Sequence, residues 1–159
     1  MRRKDREITD IADIKDVLRK SDVLRIALNN GIYPYILPVN FGFEMNGGRL
    51  TLFFHGSKEG AKHAIIENDP HVAFEVDRAH KLIPPVGDKS CTASFAYESV
   101  IGQGLITKAD DTEKEELLSA LLNRYGIETK LFSPIHLANT VVYKITAETY
   151  TAKRRESTT

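Results

Sequence analysis

The 159-residue sequence lacks an excess of charge, a second cysteine and any long apolar run. Lysine plus arginine and aspartate plus glutamate number 22 each, so no bulk field favours nucleic acid or an anionic membrane surface. The single cysteine, Cys91, excludes an internal disulfide and agrees with a reducing cytoplasm. No apolar segment approaches the ~20 residues that span a bilayer. These absences predict a cytoplasmic protein without nucleic-acid or membrane partners. They do not exclude a local basic site.

The common metal and dinucleotide motifs are missing as well. The five histidines have no HExxH spacing and one cysteine cannot build a thiolate site, so no metal site is predicted. Around Gly102-Gln103-Gly104, a dinucleotide fingerprint would need a third glycine where Thr107 stands. Cys91 is expected to be a small buried hydrophobe. The sequence therefore predicts neither a metal centre nor a Rossmann site.

What the sequence does contain is a series of strand patterns separated by turn residues. About six strands are predicted, at 23–28, 33–45, 51–55, 71–77, 94–109 and 140–153, and the segment 94–109 is either a strand pair or one long bent strand. Helices are predicted at 10–20, at 58–68 and from 111 to 125, and residues 78–94 are predicted to form a long loop. Because strands and helices do not alternate, the pattern indicates a small antiparallel barrel rather than a doubly wound sheet.

The prolines and glycines of two strands indicate irregular pairing. Pro34 and Pro38 cannot donate to a ladder, so the second strand should have an open side or a bulge. Gly102 and Gly104 invite a bulge in the fifth strand. The chain as a whole is predicted to be one domain over residues 1–153, followed by a flexible tail at 154–159.

The stretch GSKEGAKH, from Gly56 to His63, departs from the P-loop pattern at two positions. Ala61 replaces the second glycine and His63 replaces the magnesium-binding hydroxyl, which disfavours a nucleotide triphosphatase. A strand that ends at Gly56 and enters a helix would still present N–H groups, a hydroxyl and two lysines to a phosphate. An ordinary helix capped by Ser57, with a solvated lysine face, is the alternative.

The ordered set GIYPYILPVNFG, FFHGSKEGAKH, VAFEVD and YESVIGQG resembles the pyridoxamine 5′-phosphate oxidase-like FMN-binding split barrels, and within them the nitroimidazole-resistance (NimA-like) group. The resemblance covers residues 1–153. It implies a mainly β fold, a six-stranded antiparallel split β-barrel with flanking α-helices, that forms a homodimer and binds FMN at the subunit interface. It places the flavin ring along the backbone of Pro38, Val39, Asn40 and Phe41. It places the phosphate near His55, Gly56, Ser57 and Lys62.

Two functions are open under this resemblance. The first is an FMN-dependent oxidoreductase acting on a small-molecule substrate, with reduction of nitro compounds as the suggested activity and His55 as the catalytic donor of a proton or hydrogen bond. The second is a non-catalytic module that binds a flavin or haem. The substrate-binding arginine and histidine of pyridoxamine phosphate oxidase itself are not found, so vitamin B6 oxidation is not expected. Tyr97 and Ser99 lie in the matching strand without an assigned role.

Overall fold

The computed structural model describes residues 3–129 and 131–156. Its strands are β1 (Glu7–Ile8), β2 (Leu24–Leu28), β3 (Tyr35–Val39), β4 (Gly42–Asn46), β5 (Arg49–Ser57), β6 (His71–Ile83), β7 (Ser94–Lys108) and β8 (Thr140–Arg155). Its helices are α1 (Ile11–Lys20), α2 (Lys62–Asn68), α3 (Asp111–Arg124) and α4 (Pro134–Asn139). Within the described ranges, no helix has both the length and the apolar character of a membrane span.

The strands form one antiparallel sheet that curves until its two end strands meet at one corner. Its order is β3-β2-β6-β7-β8-β5-β4, and β1 pairs with β8. The strands at the two ends of this order, β3 and β4, are joined only by Asn40 and Phe41. A connection of this length reaches at most about 11 Å, so the end of β3 and the start of β4 must lie close together. The predicted class, a mainly β antiparallel barrel with flanking helices, is confirmed.

Two details account for the difference between six predicted strands and eight observed ones. The predicted strand 33–45 is interrupted at Asn40-Phe41 and becomes β3 and β4, which pair with different neighbours. The two-residue strand β1 was not predicted, because it is too short to show a periodic pattern. The other five predicted strands correspond to β2, β5, β6, β7 and β8.

Alternating apolar side chains of the strands fill the barrel. On β2 the buried residues are Leu24, Ile26 and Leu28, and the same alternation holds for the first half of β6. Helix α1 adds its buried face to this core, and the Asp10 carboxylate caps the helix by accepting from the Ala12 N–H at 2.7 Å. A second, smaller core lies under α3, where three leucines pack around Phe53.

The prediction of a loop at 78–94 is wrong for residues 78–83. Strand β6 continues to Ile83 and pairs with the start of β7, which makes a long hairpin arm. The register shifts at His80, and the His80 ring is bonded to Glu98 on β7 at 2.9 Å. The remaining connection contains Cys91 in a short 3₁₀ turn. Cys91 is exposed, so the expectation of a buried cysteine is also wrong.

The folded domain extends further toward the C-terminus than the predicted end at residue 153. Strand β8 includes Arg154 and Arg155, which the sequence assigned to a flexible tail. The reason is a partly buried set of ion pairs, because the Arg154 Nε donates to the carboxylate of Glu98 at 2.6 Å and its Nη1 donates to Asp13 at 2.9 Å. Glu98 is only 5% exposed and needs this partner. The rest of the predicted tail, 157–159, lies outside the described residues.

Candidate functional site

The barrel is open along one side of β3. Strand β4 pairs with β5 only as far as Gly42 and Phe53. Carried back along the chain, the same register would set Asn40 opposite His55, but no pairing joins β3 to β5 among the described strands. Pro38 has no N–H to donate, which agrees with the absence of strand pairing on the side of β3 that faces β5. The predicted open side of the proline strand is confirmed. We call the gap between 36–40 and 54–57 the seam.

The β3 side of the seam presents three of the predicted residues. Pro38 and Asn40 are exposed, whereas the side chain of Val39 is half-buried against the core. The Asn40 side-chain amide donates to the carbonyl of Asp22 at 3.2 Å, which holds the corner where β3 ends. The unpaired edge of β3 therefore runs along this side of the seam with no strand covering it among the described residues.

Phe41, the fourth predicted residue on this side, is not accessible to a ligand, because its ring is buried and its backbone groups are hydrogen-bonded within the protein. Its ring is fully buried in the core. Its carbonyl accepts a hydrogen bond from the Arg124 guanidinium at 2.8 Å, and its N–H donates to the Tyr125 hydroxyl at 3.3 Å. The backbone of Phe41 is thus tied to the end of α3, which leaves Pro38 to Asn40 as the accessible part of the predicted stretch.

On the other side of the seam, the segment between β5 and α2 folds around the backbone of Glu59. The Ser57 hydroxyl accepts from the Glu59 N–H at 3.2 Å, and the Lys62 ammonium donates to the Glu59 carbonyl at 2.8 Å. Helix α2 begins only at Lys62, with Ala61 as its N-cap residue and no side-chain cap. The predicted helix start at 58 and the predicted cap at Ser57 are therefore wrong. Gly60, at φ +117°, makes the turn that delays the helix.

Lys62 and His55 lie on opposite faces of β5. A Cβ placed on Gly56 would lie 3.1 Å from the Lys62 Cε, so the lysine covers the face to which Gly56 belongs. Because side chains alternate along a strand, His55 and Ser57 point to the other face. The structure therefore brings all four predicted residues to one end of β5, but it divides them between two faces of the strand.

His63 is a site residue that the sequence reasoning treated only as a departure from the P-loop. Its Nε2 lies 2.9 Å from the Ser57 carbonyl and its Nδ1 lies 2.7 Å from the Tyr143 hydroxyl. Since a carbonyl can only accept, Nε2 carries the hydrogen, and in the neutral ring Nδ1 accepts from the tyrosine. Burial raises the pKa of Tyr143. His63 thereby fixes the end of β5 to α2, which no local sequence pattern indicated.

His55 faces the helical side of β5. Its ring borders a cavity of about 150 Å³ that is otherwise lined mainly by apolar side chains of α3 and α4, such as Leu121 and Leu137. These neighbours disfavour the charged imidazolium, so partial burial lowers the pKa of His55 from its ordinary value of 6.5. At neutral pH, His55 is therefore uncharged and carries one N–H donor, although part of the side chain is exposed.

The remaining candidates do not join this end of the barrel. Tyr97 and Ser99 lie on β7, which β8 separates from β5. Arg25, on β2 and outside the predicted site, donates hydrogen bonds to Asp77 at 2.6 Å and Glu75 at 3.2 Å. In the described part of the chain, no group of three or more histidine, cysteine or acidic residues is arranged to hold a metal ion.

Comparison with known proteins gives one family and many similar structures. Residues 10–154 match the family model described as pyridoxamine 5′-phosphate oxidase. A proposed 5-nitroimidazole antibiotic resistance protein from Bacteroides thetaiotaomicron is 25% identical, with a TM-score of 0.78 over 93% of this chain and 86% of that one. No curated protein matches the sequence.

Two further structures share the fold at lower identity. The FAD and haem binding protein from Mycobacterium smegmatis is 22% identical, with a TM-score of 0.81 over 95% of this chain and 74% of that one. The flavocytochrome Anf3 from Azotobacter vinelandii is 16% identical, with a TM-score of 0.79 over 98% of this chain and 72% of that one.

Proposed function

Because the chain belongs to the pyridoxamine 5′-phosphate oxidase family, we propose that it is an FMN-dependent oxidoreductase that acts on a small-molecule substrate as a homodimer. The observation that supports this proposal best is the seam. It has an unpaired strand edge on one side, and a compact group of cationic and hydroxyl donors on the other.

The donors beside β5 suit a phosphate monoester. The Lys62 ammonium uses one of its three hydrogens on the Glu59 carbonyl, and two remain for a ligand. The Ser57 hydroxyl accepts from a backbone N–H and keeps its own hydrogen free to donate. The exposed ammonium of Lys58 stands one residue away from Ser57. Lys62 and Ser57 would hold the FMN phosphate, with Lys58 contributing less, whereas Pro38, Val39 and Asn40 would lie along the flavin ring with their backbone.

When bound, FMN supplies the transfer of electrons or hydride between a reductant and the substrate. The protein would contribute orientation and proton management. His55, uncharged at neutral pH because of its apolar neighbours, can donate one hydrogen bond or proton from the face of β5 opposite to Lys62. In this arrangement Lys62 lies on one face of the strand, and Ser57 and His55 lie on the other.

The relatives suggest which substrates to try first. The similar Bacteroides protein is described as a proposed 5-nitroimidazole resistance protein, which makes nitroaromatic compounds the first class of acceptor to test. The Mycobacterium and Azotobacter proteins are described by the flavin and haem that they bind. A second candidate function is therefore a module that holds a flavin or haem without turnover.

The absorption spectrum of the purified protein, with mass analysis of the released chromophore, tests the cofactor. We expect a flavin spectrum and the mass of FMN. An adenine-containing flavin, or a Soret band from haem, would contradict the choice of FMN. Oxidation of a reduced nicotinamide in the presence of a nitroimidazole then separates the two candidate functions. Protein with bound FMN that shows no turnover with several donors and acceptors would favour the binding module.

A further inference from the structure

A second pocket, separate from the seam, lies between α1, α3 and the β4–β5 hairpin. Its volume is about 470 Å³, which falls within the range of sites for small organic molecules. Its apolar lining consists of Phe43 and Met45, on one face of the β4–β5 hairpin, and Phe53, on the other face. Neither Pro38 nor Lys62 lines this pocket, so the proposed flavin site does not account for it.

The charged groups around this pocket are all positive. They are Lys15 and Arg19 on α1 and Arg124 at the end of α3, and no acidic side chain lines the pocket in the described part of the chain. Lys15 and Arg19 are four residues apart, which places them on the same side of the helix. Among the described residues neither forms an ion pair, whereas the next lysine, Lys20, is bonded to Asp16 at 2.5 Å.

Arg124 adds a positive charge that is fixed in place but not neutralised. Its guanidinium donates to the carbonyls of Phe41 at 2.8 Å and Leu18 at 2.7 Å, and it lies over the Phe41 ring at 4.1 Å from the centroid. These partners are carbonyls and an aromatic ring, none of which carries a formal negative charge. The chain has no net charge overall, so this concentration of three cations is a local feature.

From this combination we propose that the pocket binds an organic anion with an aromatic body, of the class of aryl carboxylates and aryl phosphates. The aromatic part would pack on Phe43, Met45 and Phe53, which removes apolar surface from water. The anionic group would lie at the rim, where Lys15 and Arg19 donate charge-assisted hydrogen bonds. A neutral aromatic molecule lacks the charge-assisted hydrogen bonds, and inorganic phosphate lacks the apolar packing.

Met45 provides a specific reporter for this pocket. The sequence has only two methionines, and Met45, which lines the pocket, is 6% exposed. We would label the protein with ¹³C at the methionine methyl groups and assign the Met45 signal with Met45→Leu. Titration with 2-naphthoate should then shift that signal with a saturable curve. Neutral 2-naphthol and inorganic phosphate should each bind at least about fivefold more weakly, since each makes only one kind of contact.

Charge-neutral variants test the role of the rim. Lys15→Gln combined with Arg19→Gln should weaken naphthoate binding about five- to tenfold, because two partly exposed ionic contacts are lost. Glutamine is a good helix former, and circular dichroism would check that the fold is kept. The control, Lys89→Gln with Lys108→Gln, removes the same charge from exposed positions outside the pocket and should change the affinity by less than about twofold. A Met45 signal that does not saturate, or equal affinities for naphthoate and naphthol, would overturn the proposal.

Discussion

At the scale of single residues, Lys62 is the side chain on which the proposed phosphate site depends most. Lys62→Ala should weaken FMN binding by about ten- to a hundredfold, since a charge-assisted hydrogen bond contributes roughly 1.5–3 kcal/mol. The aliphatic part of the lysine also covers Gly56. Lys62→Gln keeps much of that part and removes the charge, so it should show most of the same loss. Quenching of FMN fluorescence on titration with apoprotein measures both affinities.

Lys58 is the matched control for this prediction. It is an exposed lysine of the same segment, and its backbone N–H is bonded to the Asn139 carbonyl at 3.3 Å. Lys58→Ala should therefore change FMN affinity less than Lys62→Ala does. A large loss of FMN affinity with Lys58→Ala and none with Lys62→Ala would show that the phosphate had been assigned to the wrong lysine. If neither variant lost affinity, Ser57 or backbone groups would have to hold the phosphate.

His55 predicts a pH dependence of stability. Its pKa in the folded protein is lowered by burial from the ordinary 6.5, so the unfolded chain binds a proton more readily. The contribution of His55 to the free energy of unfolding is therefore complete above pH 6.5 and decreases as the pH falls below that value. His55→Asn cannot titrate in this range. Between pH 7.5 and pH 5.5, the free energy of unfolding measured with urea should decrease more for the wild type than for His55→Asn. Equal losses would indicate that the His55 pKa is not shifted.

At the scale of elements, Gly104 tests the pairing of β7 with β8. The register of these strands shifts between Gln103 and Gly104, as the two glycines predicted. A Cβ on Gly104 would lie 2.1 Å from the Thr146 carbonyl oxygen, which is backbone and cannot move aside. Gly104→Ala should therefore lower the free energy of unfolding by about 3 kcal/mol or more. Gly47→Ala, in an open turn at φ +59°, should cost only about 1 kcal/mol. Similar losses for both would contradict a tight bulge.

The same elements indicate how far the sequence could predict the fold. Strands with alternating buried residues, such as β2, and a helix with an N-cap carboxylate, such as α1, follow from local pattern. The second half of β6 does not alternate, and its pairing with the start of β7 holds it in place. The break at Asn40-Phe41 depends on Arg124, which is 83 residues further along the chain. A single-sequence pattern contains neither of these long-range contacts.

For the candidate site, the sequence predicted the residue types better than their placement. Gly56, Ser57 and Lys62 meet at the end of β5 as expected, because the chain turns there within a few residues. The face that each side chain takes could not be predicted, since it depends on a helix start delayed by the turn at Gly60. The role of His63 depends on Tyr143, which is far away in sequence.

At the scale of the whole molecule, the outer surface formed by β3, β2, β6 and β7 is the candidate dimer interface. Paired positions across these strands place Pro38, Arg25, Glu75 and Ile101 in one row. Ile101 is 49% exposed, and Ile36, on the same face of β3 as Pro38, is 63% exposed. Apolar side chains on the face of a sheet are typical of protein contacts. The surface also adjoins the open edge of β3, so a partner there would lie beside the seam.

A charge at Ile36 tests whether this surface holds a homodimer. Obligate dimers bury more than ~2,000 Å², and a glutamate in such an interface would be desolvated without a partner. Ile36→Glu should therefore convert a dimer, with about twice the 17.9 kDa of the chain, into a monomer, as measured by light scattering. Ile135→Glu is the control, because Ile135 is 71% exposed on α4, away from this surface, and the dimer should persist. If the interface completes the flavin site, the Ile36 variant should also lose FMN. A wild-type monomer that binds FMN, or a dimer that survives Ile36→Glu, would contradict this assignment.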